Sequence, residues 1–167
     1  EVYKHLRKHL PHDETKDYVK RVATRRAKNK PKVNGYTRFN SKTILGKNTH
    51  FNGLKVLGKG NVRIGDNFHS GSGCEFITDS HNYNGDAIPY DDTYIVKDIV
   101  IDNNVWLGRN ITVLGGVTIG EGAIIQAGSV VVNDIPKYAI AGGHPAKVFS
   151  ERNIERYIDL KEKGLFY

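Results

Sequence analysis

The sequence predicts a mainly β protein, built as a solenoid of stacked six-residue units with a long loop expelled from the stack and short helices at both ends. Three observations predict it. Glycine is abundant, 18 of 167 residues, while proline stays at 5, and most glycines fall between Gly46 and Gly143. From Ile101 every sixth residue is aliphatic: Ile101, Leu107, Val113, Ile119, Ile125, Val131. Three positions on, the column reads Asn104, Asn110, Gly116, Gly122, Gly128, Asp134. These are the residue types that accept left-handed backbone in tight turns. A fourth column (Val105, Ile111, Val117, Ala123, Ser129, Ile135) is again small or apolar. Each unit is therefore an inward aliphatic residue, a turn, and a second inward residue. Stacked units bury a column that none could bury alone.

Taken in order, residues 1–32 form a basic, glycine-free arm. Val2, Leu6 and Leu10, then Tyr18, Val19, Val22 and Ala23, recur at helical spacing, and Pro31 ends the second helix. Residues 33–149 are the β-helix. Upstream its period is looser: Ile44-Leu45-Gly46-Lys47-Asn48 is one unit, Val56 and Val62 form a pair, and Ile64-Gly65-Asp66-Asn67-Phe68 leads on to Ser70 and Phe76. Residues 79–97 break the period and contain Tyr83, Gly85, Pro89, Tyr90 and Tyr94. A loop of that length in a compact domain is usually functional. Residues 150–167 read as a C-terminal helix with an apolar stripe of Ile154, Tyr157, Ile158 and Leu160, stopped by Gly164.

Composition excludes several classes. Hydrophobic residues at 38% and aromatics at 10% are enough for a core, so wholesale disorder is excluded. No apolar run is long enough for a membrane span and no N-terminal stretch reads as a signal peptide, so a cytoplasmic location is expected. The single cysteine, Cys74, excludes an internal disulfide framework and a Cys-rich zinc site. The net charge of +7 is concentrated in residues 20–32 (Lys20, Arg21, Arg25, Arg26, Lys28, Lys30, Lys32). Without any nucleic-acid-binding motif beside it, that run suits an anionic small molecule or peripheral contact with an anionic membrane surface, not nucleic acid.

The segment Ile101-Asp102-Asn103-Asn104-Val105-Trp106-Leu107-Gly108 resembles a signature of the hexapeptide-repeat acyltransferases, the group of maltose and galactoside O-acetyltransferases, xenobiotic acetyltransferases and surface-polysaccharide O-acetyltransferases. Gly115–Gly122, Ala127–Val131, Asp134–Ala139 and Gly142-Gly143-His144-Pro145-Ala146-Lys147-Val148 continue the resemblance, which is dense over 64–149. It implies a left-handed parallel β-helix of triangular section, a homotrimer, and acetyl-CoA as co-substrate in the groove between subunits, with no metal. It places the catalytic histidine in the expelled loop, 17 residues after the Ile of an Ile-Gly-Asp-Asn unit; Ile64 points to His81. A neutral imidazole is suited to taking a hydroxyl proton at neutral pH, with Asp79 or a carbonyl as its orienting partner.

The same resemblance implies Trp106, Gly108, Arg109, Ala127 and Lys147 as cofactor-binding residues, and Asn52, Asn82 and Tyr83 as substrate-binding ones. Two departures weaken the basic contacts to the cofactor phosphates: Val132-Asn133 replaces a Thr-Lys pair common in the group, and Ser150 stands where an Arg is common. The expected activity is acetyl transfer to a saccharide hydroxyl. The alternatives are N-acetylation of a nucleotide-linked amino sugar, acetylation of a hydroxyl-bearing antibiotic, and a purely structural β-helix. Zinc hydration chemistry would need three converging histidines, and His50, His69 and His81 lack the paired spacing for it.

Overall fold

The computed structural model describes residues 30–167, and its architecture is a parallel β-solenoid of triangular section. The predicted N-terminal helices lie outside the described residues. Three sheets form the walls. Wall A carries, in spatial order, β1 (Lys32–Val33), β3 (His50–Phe51), β6 (His69–Ser70), β11 (Trp106–Leu107), β14 (Ile124–Ile125), β16 (Ala139–Gly143) and β17 (Ala146–Glu151). Wall B carries β4 (Leu54–Leu57), β7 (Cys74–Ile77), β12 (Thr112–Leu114) and β15 (Val130–Val131). Wall C carries β2 (Thr43–Leu45), β5 (Val62–Ile64), β10 (Ile99–Ile101) and β13 (Thr118–Ile119). The chain visits C, A and B in turn, and successive coils pair in parallel.

The six-residue period works because one turn of the prism takes three units. Ile101 and Ile119 share wall C, Leu107 and Ile125 wall A, and Val113 and Val131 wall B, in register (Ile101↔Ile119, Leu107↔Ile125, Val113↔Val131). All six are buried, as are Val105, Ile111, Val117, Ala123, Ser129 and Ile135. The turn column also holds: Asn104, Asn110, Gly116, Gly122 and Gly128 have φ between 54° and 95°. Upstream the core grows by aromatics, with Phe39, Phe51, Phe68 and Phe76 buried.

The corners have side chains of their own. At the C–A corner the Asn48 amide donates to Asn67 Oδ1 (3.0 Å) and that of Asn67 to Asn104 Oδ1 (2.8 Å). At the B–C corner, carboxylates accept backbone N–H groups that the turns leave unpaired: Lys59 to Asp79 Oδ2 (3.0 Å), Asn61 to Asp98 Oδ1 (2.7 Å) and Thr118 to Asp134 Oδ1 (2.7 Å). The Asn61 side chain and N–H hold the Asp98 carboxyl below the usual carboxylate range.

In the first full coil the inward residue is Leu45, which pairs with Ile64 and is buried, whereas Ile44 is 52% exposed. Two sequence expectations are corrected. Residues 150–167 are not one helix. The boundary at 149/150 falls inside β17, which returns antiparallel against β16, and the helix α1 is Ile154–Glu162. Its apolar stripe is not buried, because α1 lies outside the prism and none of its residues is buried. It is held by its N-cap Asn153, whose side chain accepts the Arg156 N–H, and by a clamp at the C–A corner. In that clamp Glu121 accepts from Tyr157 (3.0 Å), Asn104 (3.3 Å) and Lys161, while Asn104 also donates to Tyr157 (2.7 Å). Burial, with the Glu121 carboxylate adding to it, pushes the Tyr157 hydroxyl up to about 12. Finally, the expelled segment 79–97 is not wholly loop, as its two ends pair as a hairpin.

Candidate active site

After β7 the chain turns at the buried Thr78 and leaves the prism at the B–C corner. β8 (Asp79–His81) pairs antiparallel with β9 (Tyr94–Val96), in the register Asp79↔Val96, Ser80↔Ile95 and His81↔Tyr94. The tip between them is held by two polar residues. Asn82 donates to Thr93 Oγ1 (3.1 Å) and accepts the Asn84 N–H (3.1 Å). Asp91 accepts the Thr93 hydroxyl (2.6 Å), the Thr93 N–H (2.9 Å) and the Asp86 N–H (3.2 Å). The Thr93 bonds hold the Asp91 carboxyl below its ordinary range. Asn82, implied by the resemblance to touch substrate, thus has its side chain engaged in the loop itself. Tyr83, implied beside it, is 68% exposed.

His81 is exposed at the end of β8. Its ring stacks on Tyr90, with centroids 3.9 Å apart and planes 11° apart, and lies 4.8 Å from the Tyr94 ring. Lys59 Nζ sits 3.9 Å from the centroid of Tyr94. Among the described residues nothing hydrogen-bonds the imidazole. Asp79, one of its two suggested partners, is instead bound to the Lys59 N–H at the hairpin root. The imidazole opens onto a basin of about 770 Å³ walled by Asp86, Ala87, Tyr90, Asp91, Asp92, Thr93 and Tyr94. Tyr90, Asp86 and Asp92 were not singled out as site residues in the sequence; three tyrosines crowded into an expelled loop were the available signal.

A second group lies on another edge, the A–B corner. Asn52 follows β3, Gly108 and Arg109 follow β11, and Ala127 follows β14, so the four stand above one another where wall A turns into wall B. Asn52 donates to Ser70 O (2.8 Å) and accepts from Asn34 (3.1 Å). Gly108 N–H bonds Ile125 O (2.9 Å), and Gly128 N–H bonds Arg109 O (2.8 Å). A β-carbon at Gly108 would strike the Ala127 backbone, so only glycine lets these corners stack so closely. Arg109 Nε donates to Ser72 Oγ (2.9 Å). Ala127 and Gly128 are exposed, with open space before Gly128. Lys147 of β17 is exposed opposite Gly142, one coil further on.

Trp106 is placed apart from that edge. Its half-exposed indole is on the outer side of wall A, lining a groove of about 410 Å³ with His69, Tyr157, Leu160, Phe166 and Tyr167. In the same outward column His50 and His69 stack with centroids 4.1 Å apart, and Tyr167 covers both. Burial, then Lys32, lowers the His50 pKa; burial, then His50 and Lys32, lowers that of His69. The structure therefore gathers Asn52, Gly108, Arg109 and Ala127 on one edge, and His81, Asn82 and Tyr83 on another. One chain does not bring the two groups together.

Residues 98–133 match the family model of the bacterial transferase hexapeptide, six repeats. The chain is 33% identical over 119 residues to the galactoside O-acetyltransferase of Escherichia coli K12, covering 71% of this chain and 58% of that relative's length. Among solved structures it is similar to a maltose O-acetyltransferase from Clostridium difficile 630 (TM-score 0.71, 26% identity, 86% of this chain and 79% of that one). It is also similar to a hexapeptide-repeat acetyltransferase from Vibrio cholerae O1 biovar eltor complexed with acetyl coenzyme A (TM-score 0.69, 28% identity, 85% and 80%). The matched repeats are the coils that carry Gly108, Arg109 and Ala127 on the A–B edge, and the solenoid is similar to those of the hexapeptide-repeat acetyltransferases.

Proposed function

We propose that this protein transfers an acetyl group from acetyl-CoA to a saccharide hydroxyl, with His81 as general base, and that it works as a homotrimer. The observation that carries the reading is His81 itself: an exposed imidazole, stacked on a tyrosine and free of hydrogen-bond partners among the described residues, on a hairpin expelled from the solenoid over an open basin. Relatives named as sugar O-acetyltransferases support the choice of chemistry. The A–B edge suits an elongated anionic ligand, since its backbone is uncovered at Ala127 and Gly128 and it carries Arg109 and Lys147. Gly108, Arg109, Ala127 and Lys147 would hold the cofactor there, with Trp106 on the adjoining wall. Asn52, Asn82 and Tyr83 would bound the acceptor.

Because the hairpin and the A–B edge stand on different edges, a rotation about a three-fold axis completes the site by setting one subunit's hairpin against the next subunit's A–B edge. Bound acetyl-CoA supplies an acyl carbon activated as a thioester. His81 takes the acceptor's hydroxyl proton as the new C–O bond forms, and returns it to the thiolate as the C–S bond breaks. A backbone N–H of the facing coil would receive the oxyanion.

Thiol release from acetyl-CoA against a panel of neutral sugars, sialic acid, nucleotide amino sugars, oligosaccharides and hydroxyl-bearing antibiotics tests the reading. Acceptor-dependent release that disappears in His81→Ala is the expected result. Release at the wild-type rate in that variant overturns it.

A further inference from the structure

The walls of the His81 basin include three carboxylates and no Lys or Arg: Asp86, Asp91 and Asp92. Asp91 is consumed by the hairpin, where it accepts two bonds from Thr93 and one from the Asp86 N–H. The Asp86 and Asp92 side chains are exposed and have no hydrogen-bond or ion-pair partner among the described residues. Lys59 sits on the Tyr94 ring and is not part of the walls. A chain with a net charge of +7 thus turns a negative face toward its candidate base. The tyrosines point the same way. Tyr90 is 46% exposed with one face on the His81 ring, and its other electron-rich face can take a cation or the C–H edges of a ring, while Tyr94 already holds a cation, Lys59, against its ring. Two features, the free carboxylates and the remaining face of Tyr90, therefore favour the same kind of acceptor.

From this juxtaposition we propose that the acceptor subsite selects by charge. It takes a hydroxyl-bearing ring that is neutral or carries an amine, and it turns away acceptors bearing a carboxylate or phosphate. Asp86 and Asp92 are the selecting residues and Tyr90 the platform. This rests on the acetyl-transfer reading of His81, and it narrows the acceptor classes left open by the sequence: sialic acid and sugar nucleotides fall outside it, while neutral glycosides and amine-bearing glycosides or antibiotics fall within.

Three methyl glycosides that share one ring test it at pH 6.5: the β-glucoside, the β-glucosaminide and the β-glucuronide. At low salt, kcat/KM for the glucuronide is expected roughly tenfold below that for the glucoside, with the glucosaminide at or above the glucoside, since two carboxylates near an exposed site are each worth about threefold. The gap narrows at 0.5 M salt, where the screening length falls to about 4 Å. In the double variant Asp86→Asn, Asp92→Asn the gap shrinks severalfold, through KM. Equal kcat/KM for all three, a preference for the glucuronide, or a ratio unmoved in the double variant overturns the proposal. If none of the three is turned over, transfer to such rings fails as a reading, and ligand-detected NMR then decides selectivity by itself. Binding in the expected order sustains it; glucuronide bound as well as glucosaminide, or none bound, overturns it.

Discussion

At the scale of single residues, His81 and the stacked pair His50–His69 give opposite uses of one side chain. His81 is exposed and makes no structural hydrogen bond among the described residues, so its removal should spare the fold. His81→Ala is expected to lower turnover by a factor on the order of 100 or more, leaving the circular dichroism spectrum and Tm unchanged. His50 is buried and His69 half-buried, and the first reason for their lowered pKa values is burial. A base with a lowered native pKa binds fewer protons folded than unfolded, so its contribution to stability is present above the ordinary value near 6.5 and is lost as pH falls below it. Tm is therefore expected to drop as pH falls from 7.5 to 5.5. His69→Gln should flatten that slope, and a slope unchanged in the variant would assign it to other groups. The position of His81 was legible because a family spacing from Ile64 reached it. The stack was not, because His50 and His69 meet only after a coil of 19 residues whose length the looser upstream period does not reveal.

At the scale of elements, the coil was legible and its departures were not. Strict alternation of aliphatic and turn residues marks every strand from Ile99 to Val131, since each inward position admits one kind of side chain and each corner one kind of backbone. β17 was legible only as part of the β-helix, which the sequence carries to residue 149; its last two residues, Ser150 and Glu151, read as helix because an antiparallel return strand carries no six-residue signal. The hairpin strands escaped because their pairing, Asp79–His81 with Tyr94–Val96, joins polar residues to aromatic ones. The corner asparagines carry a testable load. Asn67 has φ of 55° and sits in the middle of the amide ladder. Asn67→Ala is expected to destabilise by about 2 kcal/mol in urea unfolding, from left-handed strain plus the lost bonds. Asn67→Gly, which removes only the bonds, should cost roughly half as much, and equal losses would show that the backbone is not strained there.

At the scale of the whole molecule, the two candidate groups sit on two edges of one prism, and this predicts complementation between subunits. Ala127→Trp, which blocks the A–B edge, and His81→Ala should each be inactive. Co-refolded in equal amounts, they should regain about a quarter of wild-type activity, because in a three-fold assembly one site in four pairs an intact hairpin with an intact edge. Sedimentation should give three times the 18.7 kDa of one chain. No recovery on mixing would place the whole site within one subunit.

The return strand β17 has a consequence for how the protein behaves at high concentration. A solenoid wall is a template for its own extension: the last strand of wall A would offer a row of free N–H and C=O groups on which another chain's first coil could stack, and a head-to-tail contact of that kind propagates into fibres. β17 folds back over β16 and occupies that row with five paired positions, from Ala139↔Glu151 to Gly143↔Ala146. The hairpin that carries Lys147 is thus also a cap on wall A: an incoming coil meets an antiparallel strand where the stack would require a parallel one.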